Sequence, residues 1–254
     1  MMRLLQSSYQ LMIRALRESL HQPALELPNI FIPVFFFVIT VGAIGSVAGR
    51  AFGVTNYAGF QVPVGMLQAV AGGAGSAGLG MVTDIEGGYF QKLLLTPAPR
   101  LALVLGRFVA DGIRVMALTV IILAVGFIAG SGMAAGPVGA LAVVVLAGMF
   151  GLAYAGIGMT IALLTGSTKA SQVGFLVFFP LLFLSPAFAP KEVFSNWLQF
   201  LATINPVTYI LEGMRTLILD GWSWRQIVEA VGSIAGFAAF TWTSTLWALR
   251  RRTI

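Results

Sequence analysis

The sequence contains no cysteine and a single histidine, His21. These absences exclude disulfide bonds, thiolate chemistry and a metal site built from cysteine and histidine. Charge is also scarce, because Asp, Glu, Lys and Arg make up 9% of the 254 residues, against roughly 25% in a soluble domain. So few charges cannot cover a water-facing surface, and a soluble globular protein is excluded.

Apolar residues are abundant, at 58% of the chain, and they fall in several stretches of about 20 residues. A helix of that length crosses the hydrocarbon core of a bilayer. The pattern predicts an all-α integral membrane protein, with residues 1–254 as one transmembrane domain of six membrane-spanning helices. The predicted spans are residues 27–48, 57–82, 108–131, 138–165, 170–189 and 227–249.

Two further segments are predicted to be helical without crossing the membrane. In residues 1–22, Leu5, Tyr9, Met12 and Leu16 repeat at helical spacing, which is typical of an amphipathic helix lying at the membrane interface. Residues 191–224 are too mixed for a span, and their apolar pieces are too short to cross. We expect them to form an external re-entrant helical hairpin.

The distribution of cations gives the orientation. With the amino terminus in the cytoplasm, eleven of the fifteen Lys and Arg residues fall on the cytoplasmic side. The positive-inside rule therefore predicts that both termini of this multi-pass protein are cytoplasmic. We expect its membrane to be the plasma membrane of a bacterium. Because the cations sit at span ends, we expect them to contact lipid headgroups, and nucleic acid is not an expected partner.

Neither a catalytic site nor an energy source is evident in the sequence. Acidic residues avoid the span centres, no metal ligands cluster, and no phosphate-binding glycine loop is present. No catalytic residue, metal or bound cofactor is therefore expected. Arg107, Asp111 and Arg114 share one helical face and are interpreted as a structural ion cluster. Glu212 and Arg215 are expected to pair with each other at the outer surface.

The most distinctive segment is the loop between the second and third predicted spans. Residues 84–97 begin with acids and glycines, continue through a leucine ridge and stop at a proline, Pro97. This order predicts a short cytoplasmic helix. A protruding helix of that kind suits a groove on a soluble partner.

Two motifs then resemble a known family. The first runs through Asp84, Glu86-Gly87, Leu93-Leu94, Thr96-Pro97 and Arg100. The second is Asn205-Pro206-Val207-Thr208-Tyr209, between the fifth and sixth predicted spans. In this order they resemble the permeases of ABC-2 type exporters, particularly the daunorubicin-type drug exporters.

The resemblance implies a half-size permease that works as two copies, or as one copy with a paralogue, together with two ABC ATPase subunits. ATP and Mg would be bound by those partners and not by this chain. The loop would be the coupling helix that docks into the ATPase. The residues given that role are Asp84, Glu86, Gly87, Lys92, Leu93, Leu94, Leu95, Pro97 and Arg100.

The implied function is export of a hydrophobic or amphipathic substrate, either a drug or a lipid-like molecule. Export of a lipid-linked glycan, a membrane anchor for an ATPase and a passive channel remain open as alternatives. Uncharged aromatic and amide side chains are the candidates for the substrate path. They are Phe35, Phe36, Gln61, Gln68, Phe175, Phe178 and Phe179. In the hairpin, Asn205, Pro206, Glu212 and Arg215 are the residues of interest.

Overall fold

A computed structural model describes residues 2–21, 23–96 and 99–253, and the secondary structure of these residues is entirely helical. The helices are α1 (Met2–His21), α2 (Pro23–Phe52), α3 (Tyr57–Glu86), α4 (Tyr89–Leu94), α5 (Arg100–Ile128), α6 (Gly136–Thr165), α7 (Thr168–Ser171), α8 (Val173–Phe183), α9 (Asn196–Ile204), α10 (Pro206–Leu219) and α11 (Trp224–Thr253). A short 3₁₀ turn, Lys191–Val193, precedes α9. The all-α prediction is confirmed.

Among the described residues, four helices are long and apolar enough to cross a membrane: α2, α5, α6 and α11. The region predicted as the fifth span, residues 170–189, holds a shorter helix, since the helical hydrogen bonding is interrupted at Gln172 and α8 ends at Phe183. With 11 residues α8 is about 16 Å long, roughly half the thickness of the hydrocarbon core. A count of six spans stays a prediction.

The loop between the second and third predicted spans is shorter than the sequence suggested. Helix α3 continues to Glu86, and α5 already begins at Arg100, eight residues before the predicted start of the third span at residue 108. The polar residues at these helix ends do not break the helices, because Asp84 and Arg107 find charged partners on neighbouring helices.

Helix α3 occupies the centre of the bundle, where it packs against α2, α5, α6, α8 and α10. Small residues permit this close approach: a Cβ added at Gly78 would lie 2.9 Å from the carbonyl oxygen of Gly158 on α6. Without a hydrophobic drive between helices in lipid, such contacts and interhelical hydrogen bonds hold helices together. Thr241 on α11 supplies one by donating to the carbonyl of Ala153 on α6 at 2.7 Å.

The buried apolar residues form two main clusters. The larger one includes Leu67, Phe150 and Met214 and fills the middle of the bundle. The second lies at one end, where Phe90 of α4, Phe108 of α5 and Leu249 of α11 pack together. We call this the α4 end. Because the last turns of α11 reach it, the carboxyl-terminal part of α11 and the short helix α4 share one end of the molecule.

The amino-terminal helix α1 lies along the first turns of α5. The absence of a side chain at Gly106 makes this possible, since a Cβ there would be 2.8 Å from the Cβ of Leu11. Leu5, Tyr9 and Leu20 remain exposed on α1. The amphipathic helix over residues 1–22 is thus observed as a helix from Met2 to His21, and its position at a membrane interface stays a prediction.

Residues 191–224 do form two helices, α9 and α10, which meet at Asn205. The Asn205 side chain accepts from the backbone N–H of Val207 and donates to the carbonyl of Leu181, while Pro206 is the first residue of α10. Both residues therefore shape the start of α10. Helix α10 is buried against α3, α6 and α11, so that the second half of the hairpin belongs to the core of the bundle.

The predicted surface pair of Glu212 and Arg215 is wrong. Arg215 is 7% exposed, and its guanidinium donates to the carbonyls of Phe60, Pro186 and Ala187 while lying 3.4 Å from the centre of the Phe60 ring. The i,i+3 spacing suggested a local ion pair, but the guanidinium instead donates hydrogen bonds to three carbonyl groups on other segments of the chain.

Candidate functional site

The predicted coupling loop is a sharp turn followed by one short helix. At the end of α3 the chain reverses through Gly87 and Gly88, and Gly88 has a φ of 70°, a left-handed conformation that favours glycine. Helix α4 follows with six residues, and its Phe90 side chain is buried in the apolar cluster at the α4 end. The short helix predicted within residues 84–97 is thus observed as α4, and Pro97 lies outside the described residues.

The side chains of this segment divide into an inner and an outer set. Leu93 and Leu94, which we predicted to dock into the ATPase, are half-buried against the cluster that holds Phe90. Leu95 is 88% exposed. The outer set consists of Glu86, Gly87, Gln91, Lys92, Leu95 and Thr96. We call these residues the outer face of α4. Arg100, the first residue of α5, is also exposed.

Asp84 does not belong to that outer face. It is 5% exposed, and both of its carboxylate oxygens accept from Arg14 of α1, at 2.5 and 3.2 Å. Arg107 of α5 donates to the same carboxylate and also to the carbonyl of Gly80, at 2.8 Å. Glycine at position 80 leaves room for this guanidinium, because a Cβ would lie 2.1 Å from Arg107 Nη1. We predicted that Asp84 contacts the ATPase, but its carboxylate instead forms ion pairs inside this chain.

Arg14 links this ion cluster to α4. Its guanidinium carbon lies 3.8 Å from the centre of the Tyr89 ring, and Tyr89 is the first residue of α4. Such a cation–π contact stabilises the ring at a defined position. The end of α3, the start of α4, the middle of α1 and the first part of α5 are thus joined through one carboxylate and two guanidinium groups.

Asp84 lies beyond the predicted span 57–82, and its ionisation follows from its neighbours. Burial raises the pKa of this carboxyl, but the hydrogen bonds and charges of Arg14 and Arg107 outweigh burial and hold the pKa below its ordinary value. The carboxylate is therefore ionised at neutral pH, and the ion cluster is intact there.

The predicted cluster of Arg107, Asp111 and Arg114 is split in two. Arg107 points towards Asp84, whereas Arg114 pairs with Asp111 at 3.2 Å and with Glu26 of α2 at 3.4 Å. Spacing along one helix could not reveal these partners, because Asp84 and Glu26 belong to other helices. The arginines do form ion pairs within the chain, but these pairs include Asp84 and Glu26, which the prediction did not.

A cleft of about 410 Å³ opens beside these ion pairs, between α2 and α8 and across α3. Its polar lining includes Glu18, Glu26, Asn29, Ser76, Arg107 and Arg114, and its apolar lining includes Ile32, Phe175 and Leu176. Volumes of 300 to 1,000 Å³ are typical of sites for small ligands, so the size suits a drug-sized molecule. The sequence did not single out Glu18, Glu26, Asn29 or Ser76, because nothing in their spacing shows that they converge.

Part of the predicted substrate path adjoins this cleft. Phe36, Gln68, Phe175, Phe178 and Phe179 line a second, smaller cavity of about 20 Å³, which shares Asn29, Gly72 and Phe175 with the larger cleft. The two remaining members lie elsewhere. Phe35 is 49% exposed on the outside of α2, and Gln61 is buried with its side-chain oxygen unpaired. The structure therefore brings together five of the seven residues predicted for the substrate path.

The fold thus combines apolar helices able to span a membrane, a short helix exposed at the α4 end and a cleft that reaches between the helices. These features are typical of a multi-pass membrane protein. Residues 6–219 match the family model of the ABC-2 type transporter. The chain belongs to the ABC-2 type transporter family.

Two relatives carry names from drug resistance. The probable doxorubicin resistance ABC transporter permease protein DrrC of Mycobacterium tuberculosis is 25% identical over 194 residues, which cover 76% of this chain and 69% of DrrC. The daunorubicin resistance ABC transporter permease protein DrrB1 of Streptomyces coeruleorubidus is 27% identical over 210 residues, which cover 81% of this chain and 72% of DrrB1. The resemblance to this group of permeases is confirmed.

Proposed function

We propose that the chain is the transmembrane subunit of an ATP-driven exporter that moves a hydrophobic or amphipathic molecule out of the cytoplasm. A separate pair of ABC ATPase subunits supplies the energy, and a second copy or a paralogue completes the permease. The observation that carries the proposal is α4, an exposed helix held in a fixed position by a buried ion cluster.

The arrangement around α4 suits the transmission of force. The outer face of α4 presents Glu86, Lys92 and Leu95 to a partner, whereas the inner side is anchored by Phe90. Arg14 and Arg107 connect α4 and the end of α3 to α1 and to α5, which is 29 residues long. A displacement of α4 by the ATPase would therefore be passed to α1 and α5 rather than absorbed by a loose loop.

The proposed substrate class rests on the lining of the cleft and on the names of the relatives. The cleft has polar groups at the α4 end and aromatic rings further along α3, an arrangement that suits an amphipathic molecule. DrrC and DrrB1 are named for resistance to doxorubicin and daunorubicin, and this chain is proposed to act on molecules of comparable amphipathic character.

The proposal is tested by reconstituting the chain with its ATPase partner in proteoliposomes. An exporter should hydrolyse ATP faster when an amphipathic substrate is added, and should accumulate that substrate in the compartment opposite the ATPase. Substrate-independent hydrolysis would indicate a membrane anchor, and movement without ATP would indicate a channel. Stimulation by a lipid-linked glycan but not by amphipathic drugs would assign the glycolipid alternative.

Docking of the ATPase on α4 is tested by Leu95→Asp. Leu95 is 88% exposed, so the substitution removes an apolar contact from the outer face without creating a buried charge. We expect copurification of the ATPase to fall at least about tenfold, as for loss of an interface hot spot, while the thermal stability of the permease stays the same.

The matched control is Val193→Asp, which changes an exposed apolar residue in the turn before α9. It should retain the ATPase as well as the unmodified chain does. Equal retention of the ATPase by the Leu95→Asp and Val193→Asp variants would contradict docking on α4.

A further inference from the structure

Residues 184–190 follow the short helix α8 without continuing it. In lipid, irregular backbone is tolerated only where protein covers it or where it lines a cavity, because unpaired carbonyl groups are costly there. Every residue of this segment is buried or half-buried, and Ser185 and Ala187 are fully buried. We call residues 184–190 the strap. The strap is therefore covered by other elements of the chain and is not an exposed loop.

Side chains from two other helices satisfy carbonyl groups of the strap. Arg215 of α10 donates to the carbonyl of Pro186 at 2.5 Å and to that of Ala187 at 2.9 Å. The hydroxyl of Tyr57, the first residue of α3, donates to the carbonyl of Phe188 at 3.3 Å. The strap thus holds its conformation through donors on α3 and α10 as well as through its own turns.

Arg215 is itself held by the first turn of α3. Its Nε donates to the carbonyl of Phe60 at 2.9 Å, and its guanidinium carbon lies 3.4 Å from the centre of the Phe60 ring. The Phe60 ring stacks on that of Tyr57, with 5.7 Å between the ring centres. Both donors to the strap therefore contact this turn, and a movement of the turn against α10 would change the contacts of both.

The strap lies at the end of a row of aromatic rings that starts in the cleft. Phe175 lines the cleft, and its ring centre is 5.1 Å from that of Phe179. The ring centre of Phe183 is 6.5 Å from that of Phe179 and 5.5 Å from that of Phe188 in the strap. Because Phe188 contacts Tyr57, the strap is at the end of α3 opposite α4. A substrate that follows these rings from the cleft therefore meets the strap.

We infer that the strap closes the substrate path at the end opposite α4 in the resting permease, and that Arg215 is the positioning residue that keeps it closed. The inference rests on the proposed function, because a closure matters only in a protein that moves a substrate. Opening requires the first turn of α3 to part from α10, which releases the carbonyls of the strap. Force applied to α4 can reach this turn, since α4 follows the other end of α3.

A cysteine reporter tests the closure, because the chain contains no cysteine of its own. Ser185→Cys places a thiol in the strap where the serine is 1% exposed, and Ser171→Cys on α7 is the matched control at 0%, since both native hydroxyls donate to backbone carbonyls. Ser195→Cys, at an exposed serine before α9, gives the rate of an accessible thiol. Each variant is placed in phosphatidylcholine nanodiscs with the ATPase partner and treated with trimethylammonioethyl methanethiosulfonate. The intact mass of the permease chain reports the labelling.

ATP should change the labelling rate in the strap and not at the control site. Without ATP, Ser185→Cys and Ser171→Cys should both react far more slowly than Ser195→Cys. With ATP and substrate, Ser185→Cys should react at least about tenfold faster, as expected for a segment exposed by local opening, while Ser171→Cys stays slow. A rate for Ser185→Cys that ATP leaves unchanged, or an equal rise in Ser171→Cys, would overturn the closure.

The role of Arg215 is tested on the permease alone, without ATP or the ATPase. Added to Ser185→Cys, Arg215→Lys should speed labelling about three- to tenfold, because the loss of one hydrogen bond favours the open strap by that factor. Added to Ser171→Cys, it should leave the rate unchanged, whereas a general loosening of the bundle would raise both rates. Arg225→Lys, at an exposed arginine on α11, should change neither rate. An unchanged rate in the strap, or an equal rise at Ser171, would remove Arg215 from this role.

Tyr57→Phe is the second variant, and it decides the question if Arg215→Lys does not fold. It removes only the hydroxyl that donates to Phe188 and keeps the ring that stacks on Phe60. Added to Ser185→Cys, it should speed labelling about threefold. The absence of any increase would show that these donors do not hold the strap closed.

The two sets of measurements separate this inference from the proposed function. Faster labelling of the strap in Arg215→Lys, together with no ATP-dependent transport, would support the role of Arg215 and contradict the exporter. ATP-dependent transport with a strap that stays protected throughout would contradict only the closure.

Discussion

Replacement of Asp84 by alanine is expected to lower the free energy of unfolding by about 3–5 kcal/mol, because it leaves Arg107 without its carboxylate. Arg107 and Asp84 have side-chain exposures of 9% and 6%, so water does not replace the lost partner. Arg14 loses the same carboxylate and its position over Tyr89. Thermal unfolding in detergent, followed through the tryptophan fluorescence, measures the effect.

The neighbouring acid provides the control, since Glu86 lies two residues further on and is exposed. Glu86→Ala should change stability by no more than about 0.5 kcal/mol. Adding Arg107→Met to the Asp84 variant should recover part of the loss, because the unpaired buried charge is removed. A loss in Asp84→Ala no larger than in Glu86→Ala would show that the ion cluster does not hold this end of the bundle together.

The second large effect is expected at Arg215. Arg215→Met removes the donors from three carbonyl groups, those of Phe60, Pro186 and Ala187, and each unpaired buried group costs about 1–3 kcal/mol. We expect a total loss of stability of about 3 kcal/mol or more, measured by the same unfolding assay. Arg215→Lys should lose less, since an ammonium group still supplies some of the donors.

The matched control for this position is Arg225→Met on α11. The Arg225 side chain is 87% exposed and pairs with Glu229 of the next turn, so its removal should leave stability within about 0.5 kcal/mol. If Arg215 merely formed a surface pair, both methionine variants would behave alike. A similar small loss in the two variants would therefore contradict the buried clamp.

Several features of the fold were predictable from the chain because they depend on local pattern. Apolar stretches of membrane-spanning length predicted α2, α5, α6 and α11, and the two short apolar pieces of residues 191–224 predicted a helical hairpin. The position of α4 followed from glycines and prolines around a short leucine-rich run. The helix boundaries were predicted less accurately than the helices themselves. Helix α5 begins earlier and α8 ends earlier than predicted, because helix ends depend on partners in neighbouring helices.

Site residues were harder to predict from spacing. Arg107 and Arg114 stand on one face of α5, yet their carboxylate partners Asp84 and Glu26 come from α3 and α2. Arg215 follows Glu212 by three residues, yet it binds carbonyls from α3 and from the segment after α8. Pairs between neighbours on a helix are weak and exposed, whereas a buried guanidinium binds whichever acceptors surround it.

By itself the sequence determined the helical membrane architecture, the kinship to ABC-2 permeases and the place of a short exposed helix, because composition, periodicity and turn residues act locally. Only the tertiary structure decided that Asp84 is internal, that Leu95 rather than Leu93 or Leu94 faces outward, and that Glu18 and Glu26 line the same cleft. Those facts depend on how distant helices pack, and a buried charge or an open space exists only once they have packed.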